Sequence, residues 1–475
     1  GTASLADKWI VLKFGGTSVA GRSQWDVIAG LAQARRSQGF RVLLVCSAAA
    51  GVTNRLTVLA DQPQSSRLLD ELLEIHLELS RDLDVDESDW LPEAEELLDQ
   101  RLAGLAADPG PQARAALLSI GEWLSTQIAL RFLETRMEVS WVDARDALEV
   151  VSDPELSPAR QWLSAGCSAG RDPELEQRWS ELKPVVITQG FIGRTRDGGT
   201  ALLGRGGSDT SAALLAGRLG AERLEIWTDV PGLFSADPRR IPQARLLTGV
   251  NYEEALEMAA SGARVVHPRS IRAAGATGTP LVIRDLSRRE AGGTRISAGQ
   301  FAARGIKTIT CQEHMAVMLL QNLDARQQVG FLAGVFDVFR RCGVSIDLVA
   351  TSETTTTVAL NRESNHLGDR ELHSLAEDLK SLCRVELFND CVCVNLVGHG
   401  ASTALCRLQN VMRHFEEHPL LMLSQSANDL CLSLLVRAGD EEPLLHGAHR
   451  ALIPGPDEPA DGVFGPIWED IRGAS

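Results

Sequence analysis

Short apolar runs that end in glycine-bearing turns and then give way to helical patterns govern what this chain can fold into. WIVLKF at 9–14 runs straight into Gly15-Gly16, and RVLLVCS at 41–47 runs into Ala48-Ala49-Ala50-Gly51. Runs this continuously apolar suit strands covered on both faces, as in parallel sheets. The alternation with helical patterns marks an α/β sheet flanked by helices. Strands are predicted over 9–14, 41–47, 138–142, 184–192, 223–228 and 280–285. Helices are predicted over 24–36, 65–83, 112–136, 209–219 and 252–261. The stretch 65–105 reads as an amphipathic helical lobe, with Leu68, Leu72, Ile75 and Leu79 on one face and acids elsewhere.

The last third has a different rhythm. From 315 the order is strand 316–322, helix 331–342, strands 345–351 and 355–361, helix 370–383 and strand 384–388. A second round follows, with strand 391–397, helix 404–415, strands 420–426 and 429–436, and helix 443–451. Aligning the rounds pairs Val338 with Val411 and Ser352 with Ser426. Two copies of one βαββαβ unit is the simplest reading. The run PGPDEPADGVFGP at 454–466 reads as linker.

Length and charge narrow the function classes. A chain of 475 residues suggests two to four domains. Lys+Arg number 47 against Asp+Glu 63, a net charge of −16, with no long basic run. Nucleic-acid backbones need clustered positive charge, so that partner class is excluded. The apolar stretch 42–52 is about half of a membrane span, and the first residues show no basic-then-apolar leader. The nine Cys are odd in number and scattered; Cys391 and Cys393 form the one tight pair, without His or Cys partners at zinc spacing. Free thiols in a reducing cytoplasm, and no protein-metal ligand set, are therefore expected. Lys is rare, at positions 8, 13, 183, 307 and 380, so Lys13 beside a glycine turn stands out.

Three loops carry the chemistry. Lys13-Phe14-Gly15-Gly16-Thr17-Ser18 brings backbone N–H groups and a mobile cation to one place. Ser47–Asn54 (SAAAGVTN) follows the second strand. Leu203–Ser211 (LGRGGSDTS) opens a helix, with Ser208 or Asp209 as natural caps. Loops at strand ends are where open α/β sheets bind ligands, so a nucleotide or another anion is expected. The chain has no Gly-Lys pair of a GxxxxGK[ST] loop, no HRD or DFG, no GxSxG, and no GxGxxG after its first strand.

KFGGTS, SAAAGVTN, LGRGGSD, EIWTDVPGLFSADPR and GARVVHPR occur in that order, and the set resembles the aspartokinases, over nearly the whole chain to about residue 452. The resemblance implies an amino-acid kinase fold over 1–300, followed by two ferredoxin-like ACT domains. The first would span 314–388, and the second would combine 304–313 with 389–453; 454–475 would be linker or tail. It implies phosphorylation of the side-chain carboxylate of L-aspartate by ATP with Mg²⁺. It also implies a homodimer or larger, paired through the ACT domains. GFLAGVFDVFRRCGVSIDLVATSE is similar to the lysine-sensitive, single-function type. Some bacterial members are fused to diaminopimelate decarboxylase, and the tail is read as a link of that kind.

Roles follow residue by residue from the resemblance. Lys13, Asp209 and Arg264 correspond to the catalytic group. Ser47, Thr53, Glu122, Arg205 and Ser208 correspond to the aspartate-binding set, with Arg205 gripping a carboxylate and Glu122 the ammonium. Gly15, Gly16, Thr228, Asp229, Phe234, Arg239 and Arg264 correspond to the nucleotide site. Phe331, Leu332, Asp347, Ser352 and Glu353 correspond to a lysine cradle; the second repeat has Ser424–Asn428 there and lacks both acids. Two departures fall on the nucleotide side. Arg264 stands where the family usually has Lys, and Phe234 where it often has Tyr. Arg keeps the cation but changes hydrogen-bond geometry, and Phe keeps the ring but loses a hydroxyl. The alternatives are another amino-acid kinase of the glutamate 5-kinase kind, which the paired C-terminal units disfavour, and a catalytically dead amino-acid sensor.

Overall fold

The computed structural model describes residues 8–299, 305–323, 329–458 and 462–474. These form two compact units. The first takes residues up to Leu233 with Thr248–Leu256 and the segment from Arg264; the second takes Phe234–Leu247, Glu257–Ala263 and the chain beyond 304.

The first unit is built on an eight-stranded sheet. Its order is Val139–Val142, Val185–Gln189, Arg41–Cys46, Trp9–Phe14, Arg223–Thr228, Leu281–Asp285, Thr294–Ile296 and Gly249–Val250. The first six strands are mutually parallel, and Thr294–Ile296 runs antiparallel to Leu281–Asp285. In the central strand Ile10, Val11, Leu12 and Phe14 are all fully buried, so both faces are covered. That is why this run lacks apolar–polar alternation. Strand order reverses beside Trp9–Phe14: the chain adds Arg41–Cys46 on one side and later Arg223–Thr228 on the other. Loops at the carboxyl ends on either side of such a reversal enclose a crevice.

Three predicted spans divide. The strand expected over 184–192 ends at Gln189; Phe191 then takes φ +78°, and Ile192–Arg194 pairs instead with Thr200–Leu202. The helix expected over 112–136 is two helices, Pro111–Leu118 and Ile120–Glu134, broken at Ser119. The lobe over 65–105 is Ser66–Asp82, capped by Ser65, and Leu91–Ala107; Asp84 turns between them at φ +55°.

The second unit holds one six-stranded antiparallel sheet. Its order is Leu348–Thr351, Thr355–Asn361, Thr308–Gln321, Arg384–Val397, Cys431–Arg437 and Met422–Gln425. Strands predicted as separate pieces are continuous here: 316–322 belongs to Thr308–Gln321, and 384–388 joins 391–397. The register shifts between Gln312 and Met315, where His314 has φ +58°. On one side of that shift Met315–Gln321 pairs with Arg384–Cys391, and on the other Thr308–Gln312 pairs with Cys393–Val397. Helices Phe331–Arg341 and Asp369–Lys380 bury Val335, Phe339, Leu372 and Leu379 against Met318, Leu320 and Val358. The helix expected over 404–415 is broken into three short helical pieces: Ala401–Arg407 and Arg413–Glu416, both 3-10, and the single α-turn Gln409–Met412 between them.

The linker reading of 454–475 is corrected over its described end. Phe464–Ile467 is a strand antiparallel to Arg245–Leu247, followed by the helix Trp468–Gly473. Arg245 donates to the carbonyls of Gly465 (2.8 Å), Phe464 (3.1 Å) and Gly455 (3.1 Å). Val463, Phe464 and Ile471 are buried. The Pro-, Gly- and acid-rich composition masked a short apolar run that still reaches a core. No helix among the described residues is long and apolar enough to cross a membrane, and all nine cysteines are free thiols.

Candidate active site

Lys13 lies on the central strand, in register with Val45 on one side and Ile226 on the other. Its ammonium meets Asp209 Oδ1 at 2.6 Å, and both side chains are largely shielded. Asp209 is the third residue of the helix Gly207–Arg218, whose N-terminus faces the same place with its unpaired N–H groups. The Gly15-Gly16 turn passes close under the second loop: a Cβ on Gly16 would stand 3.0 Å from Ala48 O and 3.2 Å from Ala50 N. Glycine is needed for that approach.

These groups line a cavity of about 380 Å³ with Ser47, Thr53, Glu122 and Ser208, a volume suited to a small metabolite. Ser47 Oγ donates to Ser208 Oγ at 2.9 Å, tying the second and third loops together. Glu122 sits on the helix Ile120–Glu134 and is 2% exposed. Its Oε1 accepts from Ala48 N at 3.3 Å, while Oε2 is buried without a protein hydrogen-bond partner. Burial pushes this carboxyl up to about 8, against the bond from Ala48. A carboxylate placed in this way lacks a cation, and a ligand ammonium would supply one.

Arg205 is exposed on the third loop, and among the described residues its guanidinium makes no ion pair. Thr228 ends the strand beside Lys13, and its Oγ1 donates to Asp229 Oδ1 at 3.2 Å. Arg264 is exposed in the first unit. Phe234 and Arg239 fall in the second unit. There the Phe234 ring packs edge-on against Trp468 at 5.8 Å, and Arg239 pairs with Asp237 at 3.0 Å.

Three further residues line the cavity, Phe191, Asn54 and Gly206, and two others, His267 and Arg269, support the third loop. Phe191 lines the cavity with a left-handed backbone, held by Ser211 Oγ, which accepts from its N at 2.8 Å. No residue type announces such strain, worth about 1–3 kcal/mol. Asn54 also lines it, from within the quoted second loop. Gly206, at φ +63°, lies so tightly against His267 that a side chain there would collide with the ring. His267 and Arg269 were visible in GARVVHPR; Arg269 donates to the carbonyls of Leu203 and Ala165 and so fixes the third loop.

The effector residues lie in the second unit. Phe331 and Leu332 begin a helix at the end of the sheet where Gln321 pairs with Thr355. Ser352 N donates to Thr355 O at 2.8 Å, forming the hairpin that holds Ser352 and Glu353 at that same end. Asp347 lies at the opposite end of the edge strand Leu348–Thr351, its Oδ2 accepting from Asn361 N at 2.6 Å. Partial shielding pushes its carboxyl above the usual range. Four residues of extended chain lie between Asp347 and Ser352, a rise of about 16 Å.

A parallel sheet with a strand-order reversal, glycine turns and a lysine–aspartate pair at its strand ends defines an amino-acid kinase, and residues 8–285 match the amino acid kinase family. Lysine-sensitive aspartokinase 3 of Escherichia coli K12 is 32% identical over 94% of this chain and 99% of its own length. Solved structures agree: E. coli aspartokinase III with aspartate and ADP superposes with a TM-score of 0.77 at 31% identity. It covers 94% of this chain and all of the other. The same enzyme with lysine and aspartate gives 0.76 at 30% identity, over 94% and 99%. The chain belongs to the aspartokinase family.

Proposed function

We propose that this chain transfers the γ-phosphoryl group of ATP to the side-chain carboxylate of L-aspartate, giving 4-phospho-L-aspartate and ADP, in the cytoplasm and under inhibition by lysine. The observation that carries the substrate class is Glu122, a buried carboxyl with one oxygen left without a protein partner inside a metabolite-sized cavity. It suits an α-ammonium, and Arg205 at the rim suits an α-carboxylate. The substrate's other carboxylate is already ionised at neutral pH, so no general base is required. The difficulty is the approach of two anions. Lys13, oriented by Asp209, and the N-terminus of Gly207–Arg218 supply the positive potential. Asp209 is also the carboxylate that would hold Mg²⁺, which needs few protein ligands; its Oδ1 already faces Lys13 at 2.6 Å. When bound, the ion would neutralise phosphate charge. Thr228 and Asp229, on the far side of Lys13 from Ser47, suit the nucleotide.

The described sheet supports a division of the second unit into 314–388 and a half made of 304–313 with 389–453. It also supports pairing between copies. Leu348–Thr351 is an edge strand. Antiparallel pairing of two such edges about their midpoint sets Asp347 of one copy opposite Ser352 of the other. The lysine set is split along one chain and would be completed by two. Light scattering at micromolar concentration should therefore show a dimer or larger; a monomer overturns this arrangement. A coupled ADP-release assay tests the reaction. Turnover is expected with aspartate, and acceptance of glutamate or UMP in its place overturns the substrate assignment.

A further inference from the structure

The short helical pieces that replace the predicted helix over 404–415 end by presenting two imidazoles to one carboxylate. His414 Nε2 lies 3.2 Å and His418 Nδ1 3.4 Å from Asp440 Oδ1. The three candidate ligand atoms all fall within 4.8 Å of one another. Among the described residues no other set of three His, Cys or carboxylate side chains converges in this way. Asp440 stands between the strand Cys431–Arg437 and the helix Glu441–Leu452, its N donating to Arg437 O at 3.1 Å. Its side chain is 16% exposed, that of His414 31% and that of His418 51%, so the group is anchored on one side and open on the other. The two rings are stacked, with centroids 4.8 Å apart and planes 4° from parallel.

We infer that His414, His418 and Asp440 form a binding site for a divalent transition-metal ion of the zinc class. A tetrahedral ion with ligand bonds of about 2.0–2.2 Å has ligand–ligand edges of about 3.4 Å. The two measured separations already have that length. The third edge closes when the half-exposed His418 ring rotates out of the stack, turning its lone pair toward the point that His414 and Asp440 share. Two imidazole nitrogens and one carboxylate select Zn²⁺, Co²⁺ or Ni²⁺ over Mg²⁺ and Ca²⁺, which take oxygen ligands. Three protein ligands leave a fourth position for water. The ion would clip residues 413–418 to the start of the helix Glu441–Leu452. That helix also carries Glu442, which accepts from Arg240, and His449, which is hydrogen-bonded to Ser235.

The test uses the full chain without added histidine tags, stripped by chelator, then titrated with Zn²⁺ against a competing chromophoric chelator and separately with Co²⁺. One tight equivalent per chain is expected, unmoved by millimolar Mg²⁺. The Co²⁺ spectrum should lack thiolate-to-cobalt charge transfer, which separates this group from the nine cysteines. His418→Gln and Asp440→Asn should each weaken Zn²⁺ binding about tenfold or more. His418→Gln, at a half-exposed position, should keep the wild-type far-ultraviolet dichroism. The proposal is overturned if wild type takes up no tight equivalent, if His414→Gln/His418→Gln binds as much as wild type, or if the Co²⁺ spectrum shows thiolate ligation.

Discussion

Glu122 carries the strongest consequence at the scale of a single residue. Its carboxyl is held at about 8 by burial, against an ordinary 4.5. The folded, unliganded protein therefore keeps a proton that the unfolded chain gives up between those values. The stability this confers is fully present below about pH 4.5 and is lost as pH rises through about 8. Relative to wild type, Glu122→Gln should gain melting temperature from pH 6 to pH 9, measured by calorimetry across that range. An ammonium arriving beside Oε2 favours the charged form, so aspartate binding near pH 7 should release up to one proton. Titration calorimetry in two buffers of different ionisation enthalpy reads this directly, and identical heats would sink the idea. Glu122→Gln should also raise the KM for aspartate about 10- to 100-fold, the value of a hydrogen bond to a charged group. Lys13→Met should act differently, lowering kcat by about 10²–10³ with little change in that KM, as expected where charge is neutralised in the transition state.

At the scale of elements, one buried charge of the first unit is paired between a helix and the sheet it covers. Glu225, 2% exposed on the strand Arg223–Thr228, accepts from Arg35 Nε and Nη2 at 2.8 and 2.7 Å and from Arg223 at 3.1 Å. Arg35→Met leaves that carboxylate without its two-pronged partner and should cost about 3–5 kcal/mol. Urea unfolding of the variant checks this, and a loss below about 1 kcal/mol would mean Arg223 suffices. The strands at 9–14 and 223–228 were readable because unbroken apolar runs have few other uses. The first half of Thr308–Gln321 was legible only through the family resemblance, which puts a strand near Gly305–Cys311, because Gln312, Glu313 and His314 interrupt the apolar pattern at the bulge. The span 404–415 has helix-forming residues throughout, but Val411 is pressed close against Gly447 and His414 is drawn to Asp440. Tertiary contacts of that kind leave no local trace. In the site, the loop motifs located Lys13, Ser47, Ser208 and Asp209 by themselves, whereas Glu122 was identifiable only through the family pattern. The turned backbone of Phe191 was invisible, since an aromatic residue gives no cue to positive φ.

On the scale of the whole molecule, feedback requires lysine to favour one arrangement over another, a coupling typically worth about 1–3 kcal/mol. Glu353 sits at an exposed hairpin tip of the second unit and is not among the residues that line the first unit's cavity. Glu353→Ala should therefore raise the half-inhibitory lysine concentration about tenfold or more while leaving uninhibited turnover unchanged. Inhibition curves at saturating aspartate decide it, and an unshifted curve places the effector elsewhere. The two 14-residue strands Thr308–Gln321 and Arg384–Val397 bear on a different matter, the order in which the chain can assemble as it is made. Everything from Met315 to Cys391 can pair as soon as Cys391 has left the ribosome, but Thr308 must wait for Val397, and Cys431–Arg437 comes later still. During that interval the segment Thr308–Gln312 lacks its strand partner, while Leu348–Thr351 is already a finished edge. If that edge takes the pairing proposed above, a nascent chain would recruit a second copy through its inserted half before its own sheet is closed, and subunit pairing and folding would compete during synthesis.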